Sequence, residues 1–490
     1  MIPLLIGFLL VRALGSGPRR WCSHDIFRLS LGMGIGIGLC SVCFFVSLFT
    51  GVAGWVYEMV VLLAVGIAAI LRWKTAACTF CEQGPAETGG DRLVMASLAG
   101  VFGLLLLLDV SAFVLTTLRS PHGGWDAWAI WNLRARFLYR ASDAAWHDAF
   151  AKILAWSHPD YPLLLPAFIA RTWKLIGGES QAVPIALAGF FSFGSVGLVA
   201  ASLWILRGVR QGLFGGLVLA ATPILFVQGA IQCADVPVTF FRIATLSAMA
   251  MADRFESRGF AALAGVVAAL DGWTKNEGLL WLGAFLFARM VVPRARFLPA
   301  FLAGAAPLLA TIVLFKARVA TPSDIFGPAG RVGMLERFMD QARYLLITRE
   351  AIHHAWTFGP LLVSPFLILA VYLALVRIRP GNQDRVILRS GTMALMVTAA
   401  GYFLIYVLRP LDLLWLLDSS MDRLILQLWP SVVFLVFLAA RSPEREIVEP
   451  EGELASDPAE HDDLALYQPS ESGCLRKSLR QRFILAGGQQ

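Results

Sequence analysis

Long apolar runs broken by short polar connections dominate the chain. They occupy positions 2–14, 31–50, 55–71, 93–118, 182–206, 212–227, 236–251, 260–270, 279–292, 297–315, 360–376, 386–408 and 424–440. A bilayer core demands about 20 mostly apolar residues of a helix, and many of these runs approach or exceed that. Backbone groups in lipid must be satisfied within each segment, and these runs do not show the period-two alternation of a membrane barrel. The expected fold class is an all-α polytopic membrane protein with about 13 transmembrane helices, the shortest runs being candidates for re-entrant segments.

The basic residues then give a sidedness. Arg72, Lys74, Arg207, Arg210, Arg254, Arg258, Arg294, Arg296, Arg377, Arg379 and Arg385 fall in alternate connections, which are expected to be cytoplasmic. The intervening connections, 119–181, 228–235, 271–277, 316–359 and 409–423, then face outward, with the N-terminus outside and the C-terminus inside. Loop 119–181 is itself rich in arginine and lysine, but at about 60 residues the rule loses its force. Within it, 125–140 interleaves Trp125, Trp128 and Trp131 with Arg134, Arg136 and Arg140, the pattern of a helix lying at headgroup level.

Four regions follow: accessory transmembrane helices over 1–92, a module over 93–315 that includes the outer loop 119–181, an outer loop with further transmembrane helices over 316–441, and a tail over 442–490. The tail is acidic and Pro-containing over 442–463 and basic over 476–482, which reads as a disordered cytoplasmic segment. Run 2–14 has no charged n-region before it and is followed by Pro-Arg-Arg, so it reads as a short membrane helix rather than a cleaved signal.

Composition agrees with lipid as solvent: of 490 residues, 57% are hydrophobic and 15% charged. The formal net charge of +7 is spread over short loops with no compact basic domain, so no nucleic-acid partner is expected. Seven scattered cysteines, an odd number, argue against a complete disulfide framework. Cys78 and Cys81 form a lone C-x-x-C with no second pair to complete a structural zinc site. Walker, nucleophile-elbow and dinucleotide motifs are missing.

Candidate chemistry gathers in four clusters on the predicted outer side. Asp126 lies between Trp125 and Trp128, just after a span, where a low-dielectric wall makes a carboxylate a stronger base. It is a candidate general base for an acceptor hydroxyl, and equally a cap for a helix over 127–139. His158 and Asp160 sit in His-Pro-Asp-Tyr-Pro, an irregular turn suited to a phosphate, a sugar or a metal, or simply to bonding its own backbone. Asp235 precedes Val-Pro and either caps a helix or marks a helix start that favours anions. Lys275, Asn276 and Glu277 separate two short apolar runs; Lys275 suits a lipid phosphate, or an ion pair with Glu277 or Asp271. His353 and His354 point to different sides of a helix and do not share an ion.

Together, Trp-Asp-Ala-Trp-Ala-Ile-Trp-Asn-Leu-Arg from Trp125, His-Pro-Asp-Tyr-Pro-Leu-Leu from His158, Ala-Asp-Val-Pro from Ala234 and Thr-Lys-Asn-Glu-Gly from Thr274 resemble the Rgt-type bacterial members of the GT-C glycosyltransferase superfamily. These are relatives of protein O-mannosyltransferases and aminoarabinose transferases. The resemblance covers roughly 93–315. It implies a GT-C-like module whose first span is 93–118 and whose catalytic carboxylate, Asp126, lies in the long outer loop. It also implies inverting transfer of a sugar from a polyprenyl-phosphate carrier to a lipid, glycan or protein acceptor, at the periplasmic or exterior face of a bacterial inner membrane. Trp125, His158, Asp160, Asp235, Lys275, Asn276 and Glu277 would bind substrate, with Lys275 meeting the donor phosphate; a divalent metal is compatible and not demanded. Two departures are plain: three spans precede the module, and His-Pro-Asp-Tyr-Pro stands where the mannosyltransferase relatives carry His-Pro-Pro. The rival reading is a transporter or flippase for lipid-linked sugars, which would place its charges nearer mid-membrane.

Overall fold

The computed structural model describes residues 1–15, 21–73, 89–141, 143–322, 328–359, 364–378 and 380–441. The C-x-x-C of Cys78 and Cys81 and the charged tail lie outside the described residues. Within them the fold is helical throughout, the sole β-type contact being an isolated bridge between Ile378 and Ala440.

The first four helices are α1 (Ile2–Leu14), α2 (Trp21–Thr50), α3 (Gly54–Trp73) and α4 (Gly89–Arg119). A π-helical turn, Ala127–Trp131, runs into α5 (Asn132–Arg140), and two 3₁₀ segments, Asp143–Phe150 and Lys152–Ser157, lead to α6 (Leu164–Ile176). Then come α7 (Ala182–Arg207), α8 (Val209–Ala220), α9 (Pro223–Ala230), α10 (Asp235–Arg254), α11 (Arg258–Thr274), α12 (Asn276–Val291) and α13 (Leu298–Arg318). Short α14 (Pro328–Arg331) and α15 (Met334–Met339) precede α16 (Gln341–Thr357), α17 (Pro365–Val376), α18 (Arg385–Leu408) and α19 (Leu413–Ala439).

Seven of these helices, α2, α3, α4, α7, α13, α18 and α19, are long and apolar enough to cross a bilayer. The pair α8 and α9, bent by 58° at its break, makes an eighth if it is one crossing. The chain is thus an α-helical polytopic membrane protein. Other expected runs are helical but shorter or more polar, and burial explains the polarity of the central ones. Helix α10 is buried from Asp235 to Ala252 among α7, α11, α18 and α19, so it faces protein rather than lipid and accommodates Asp235, Thr239, Arg242, Thr245 and Ser247.

Between helices in lipid, close packing replaces the hydrophobic drive, and small residues permit it. A Cβ on Gly7 would stand 1.6 Å from the Gly32 carbonyl oxygen where α1 crosses α2. A Cβ on Gly265 would stand 1.9 Å from the Phe301 carbonyl oxygen where α11 crosses α13. Helix α2 reaches the interior: Ser41 donates to the Leu163 carbonyl and accepts from the Trp273 indole, at 3.2 and 3.0 Å.

The connections sort into two groups. At one end Arg207 pairs with Asp384 at 3.4 Å, Arg289 with Asp253 at 2.7 Å and Arg296 with Glu256 at 3.2 Å, while Arg254 bonds Gln383. These are the arginine-rich connections of the sequence. The other group, which holds the candidate chemistry, joins the starts of α10 and α12 and the approach to the π-helical turn through Asp235–Lys275, Asn276–Lys316 and Asp126–Arg423 contacts.

Candidate functional site

Asp126 is placed by a stitched loop. The Gly124 amide donates to the Ile231 carbonyl at 2.8 Å, and the Gln232 side chain accepts from Asn132 at 2.8 Å and donates to the Pro121 carbonyl at 3.2 Å. Gly123 must be glycine: its φ is +77°, and a Cβ there would stand 2.7 Å from the Ile231 oxygen. The chain then enters the π-helical turn, a geometry frequent at functional sites. Asp126 makes no capping bond to that helix, so the capping reading of this residue does not hold. Its Oδ2 instead accepts from Arg423 Nη2.

Arg423 joins the two acidic motifs. Its Nε donates to Asp235 Oδ2 at 2.8 Å while its Nη2 serves Asp126. The other oxygen of Asp235 accepts from Lys275 Nζ at 3.0 Å and from Gln427 Nε2 at 2.5 Å. Tyr402 in turn donates to Gln427 Oε1. Asp235 is thus fully buried and bonded on both oxygens, and it too makes no capping bond, the cap position of α10 being Ala234.

Lys275 lies in the extended break between α11 and α12, and its ammonium also meets Glu277 Oε1 at 2.9 Å. Burial alone would lower its proton affinity, but Asp235 and then Glu277 more than offset this, so it stays charged. Of the two ion pairs open to Lys275 from the sequence, the one with Glu277 is present. Asp271 is not Lys275's partner; it takes Arg242 Nε at 3.2 Å, a fully buried pair whose guanidinium lies over the Tyr402 and Trp281 rings.

Asn276, the next residue, opens a second network. Its amide donates to Asp160 Oδ2 at 2.7 Å, and Lys316 Nζ donates to Asn276 Oδ1 at 2.7 Å and to the Asp160 carbonyl at 2.5 Å. His158 has a left-handed backbone, φ 50°, and its carbonyl and that of Ser157 accept from Arg134 Nη2 at 2.9 and 2.8 Å. Burial pushes the Arg134 guanidinium down to about 10, partly countered by Asp160 and Tyr161. The Tyr161 ring stacks with His158 and with Trp131, and the Lys275 ammonium lies 5.8 Å from its centre.

Asp126, Asp235, Lys275 and Glu277 are therefore one ion-paired cluster, and Asp160 and Asn276 adjoin it through the chain at Lys275–Asn276. Trp125 stands apart, half exposed in an edge-to-face group with Trp128 and Trp156, as suits the membrane interface. Arg423, Gln427, Arg242, Tyr402 and Lys316 were not singled out from the sequence. Two of them carried a signal, because Arg242 interrupts the apolar run 236–251 and Arg423 directly abuts the run 424–440.

Asp126, Cys233 and Asp235 offer atoms within 4.8 Å of one another. Arg423 already holds both carboxylates, and burial raises the Cys233 thiol to about 12, the opposing pull of Arg423 notwithstanding. Two carboxylates already shared with one guanidinium do not fit a resident divalent ion.

Fold and site together define a polytopic helical membrane protein with a buried carboxylate–cation cluster at one end of its helices. No family model, curated protein or solved structure matches the chain.

Proposed function

We propose that this protein is an inverting glycosyltransferase of GT-C type, moving a sugar from a polyprenyl-phosphate carrier to a hydroxyl of a lipid, glycan or protein at the outer face of a membrane. The observation that carries the reading is that Asp126 and Asp235, from motifs more than a hundred residues apart, share the Arg423 guanidinium, with Lys275 3.0 Å from Asp235. Asp126, Asp235 and Lys275 all belong to the motifs that carry the resemblance. In this reading the helices α1, α10, α11, α12 and α17 complete thirteen crossings, and the arginine-rich end is cytoplasmic.

The resting site is an ion pair between base and cation. An incoming donor phosphate competes with Asp126 for Arg423, which frees the carboxylate. Asp126 then takes the proton of the acceptor hydroxyl as its oxygen bonds the anomeric carbon. The bond from that carbon to the phosphate oxygen breaks, and its electron pair leaves on the polyprenyl phosphate. Lys275 and Arg423 stabilise that charge in a water-poor setting. A single carboxylate suffices, because phosphate departs without a proton.

Asp126→Asn is expected to lower transfer about 10²- to 10⁴-fold, the usual value of a general base, with the protein still inserted. Lys275→Ala is expected to weaken apparent donor affinity. Full transfer by Asp126→Asn would remove the base, and unchanged donor affinity in Lys275→Ala would remove the phosphate assignment. A transporter has one observation in its favour: Asp109, within α4, is a buried carboxyl with an unbonded oxygen. Asp109→Asn separates the two readings, because it should leave transfer intact and would abolish movement of lipid-linked sugar across a vesicle if transport were the function.

A further inference from the structure

A groove of about 740 Å³ lies between the turn joining α2 to α3, the last turns of α6, and the 3₁₀ segment Asp143–Phe150. It shares no lining residue with the carboxylate cluster. Its walls are Phe44, Leu48, Phe49, Trp55, Trp146 and Leu175, joined by a few polar groups. Among these, Glu58 is bonded on both oxygens by Arg171, at 2.7 and 2.5 Å, which ties α3 to α6 and cancels both charges. Lys174 is different: its ammonium lies 5.6 Å from the Phe44 ring, and no described carboxylate pairs with it. The groove therefore keeps one positive charge over an apolar floor.

Its surroundings fix the kind of occupant. Trp55 and Leu175, at its rim, are more than half exposed, and Val60, Leu63 and Ile67 continue an exposed apolar stripe along α3. Helix α3 is a candidate span that is hardly buried, so that stripe faces lipid. Trp55, at the start of the α3 span, marks the headgroup level, and Lys174 near the end of α6 lines the same groove.

We infer that this groove holds the phosphate-bearing headgroup of an anionic membrane lipid, the phosphate against Lys174 and the acyl chains along α3. The charge, the level and the apolar continuation each fit that molecule. A zwitterionic lipid lacks the net negative charge that Lys174 leaves unanswered. The inference does not depend on the transferase reading, because the groove and the cluster are separate.

The full-length protein in phosphatidylcholine nanodiscs would be exposed to phosphatidylglycerol bearing a photoactivatable group in its acyl chain, and labelled peptides mapped. Labelling should concentrate on the α3 peptides covering 55–70, exceed that of the matching phosphatidylcholine probe, and fall about five-fold in Lys174→Glu. Lys174→Arg and Lys152→Glu, the latter an exposed cation outside the groove, should label as the wild type does. Equal labelling by the two probes in the wild type would overturn the inference, as would undiminished labelling in Lys174→Glu. Should Lys174→Glu fail to insert, the wild-type comparison of the two probes decides alone.

Discussion

Asp235 and Asp126 bind the same guanidinium, yet their removal should have very different consequences. Asp235 is fully buried and accepts from Arg423, Lys275 and Gln427. Asp235→Ala leaves two cations, at 22% and 7% side-chain exposure, facing each other without their shared counter-charge. Breaking a buried pair by deleting one partner costs about 3 to 5 kcal/mol. Asp126 is 18% exposed and pairs with Arg423, while Arg423 keeps Asp235 when Asp126 is neutralised. Asp126→Asn should therefore cost about 1 to 2 kcal/mol. Midpoints shift by roughly 2 °C per kcal/mol or less in a chain this large. The apparent melting midpoint of detergent-solubilised protein, followed by size-exclusion chromatography after heating, should fall by up to about 6 to 10 °C for Asp235→Ala and by no more than about 2 to 4 °C for Asp126→Asn. Equal losses, or a larger loss for Asp126→Asn, would refute the claim that Asp235 anchors the cluster while Asp126 is its releasable member.

Three further outcomes follow from the same geometry. Arg242→Met should destabilise by about 3 to 5 kcal/mol by stranding Asp271, and adding Asp271→Asn should recover part of that, read in the same melting assay. Gly265→Ala should cost about 1 to 3 kcal/mol, because its Cβ would meet the Phe301 carbonyl at 1.9 Å; wild-type monodispersity and midpoint would contradict the tight crossing of α11 and α13. His122→Cys should react with a membrane-impermeant maleimide from outside intact cells, whereas labelling only after permeabilisation would reverse the proposed sidedness.

The helical class and the grouping of polar connections were legible because hydrophobic run length and arginine placement are one-dimensional signals. Proximity was less so. Asp126, Asp235 and Lys275 could be named from local motifs, but Arg423, which joins the first two, lies in α19, far along the chain. The last apolar run begins at Leu424, whereas α19 starts at Leu413, so that Arg423 sits well inside a helix and faces Asp126 and Asp235. Arg242 was passed over because the surrounding run reads as a span; only burial among α7, α11, α18 and α19 shows why a charge is tolerated there. Local capping is one of the two readings that the sequence leaves open for Asp126 and Asp235, and tertiary ion pairs take its place, since buried cations offer a carboxylate more than a helix amide does.

The most direct test of the central claim is turnover by purified protein offered a panel of polyprenyl-phosphate sugars with candidate acceptors, scoring released polyprenyl phosphate. The account predicts release with at least one donor by the wild type, a loss of about 10²-fold or more in Asp126→Asn, and little change in Asp109→Asn. Release that is equal in the wild type and Asp126→Asn, or wild-type movement of intact donor across the bilayer without release, would contradict it.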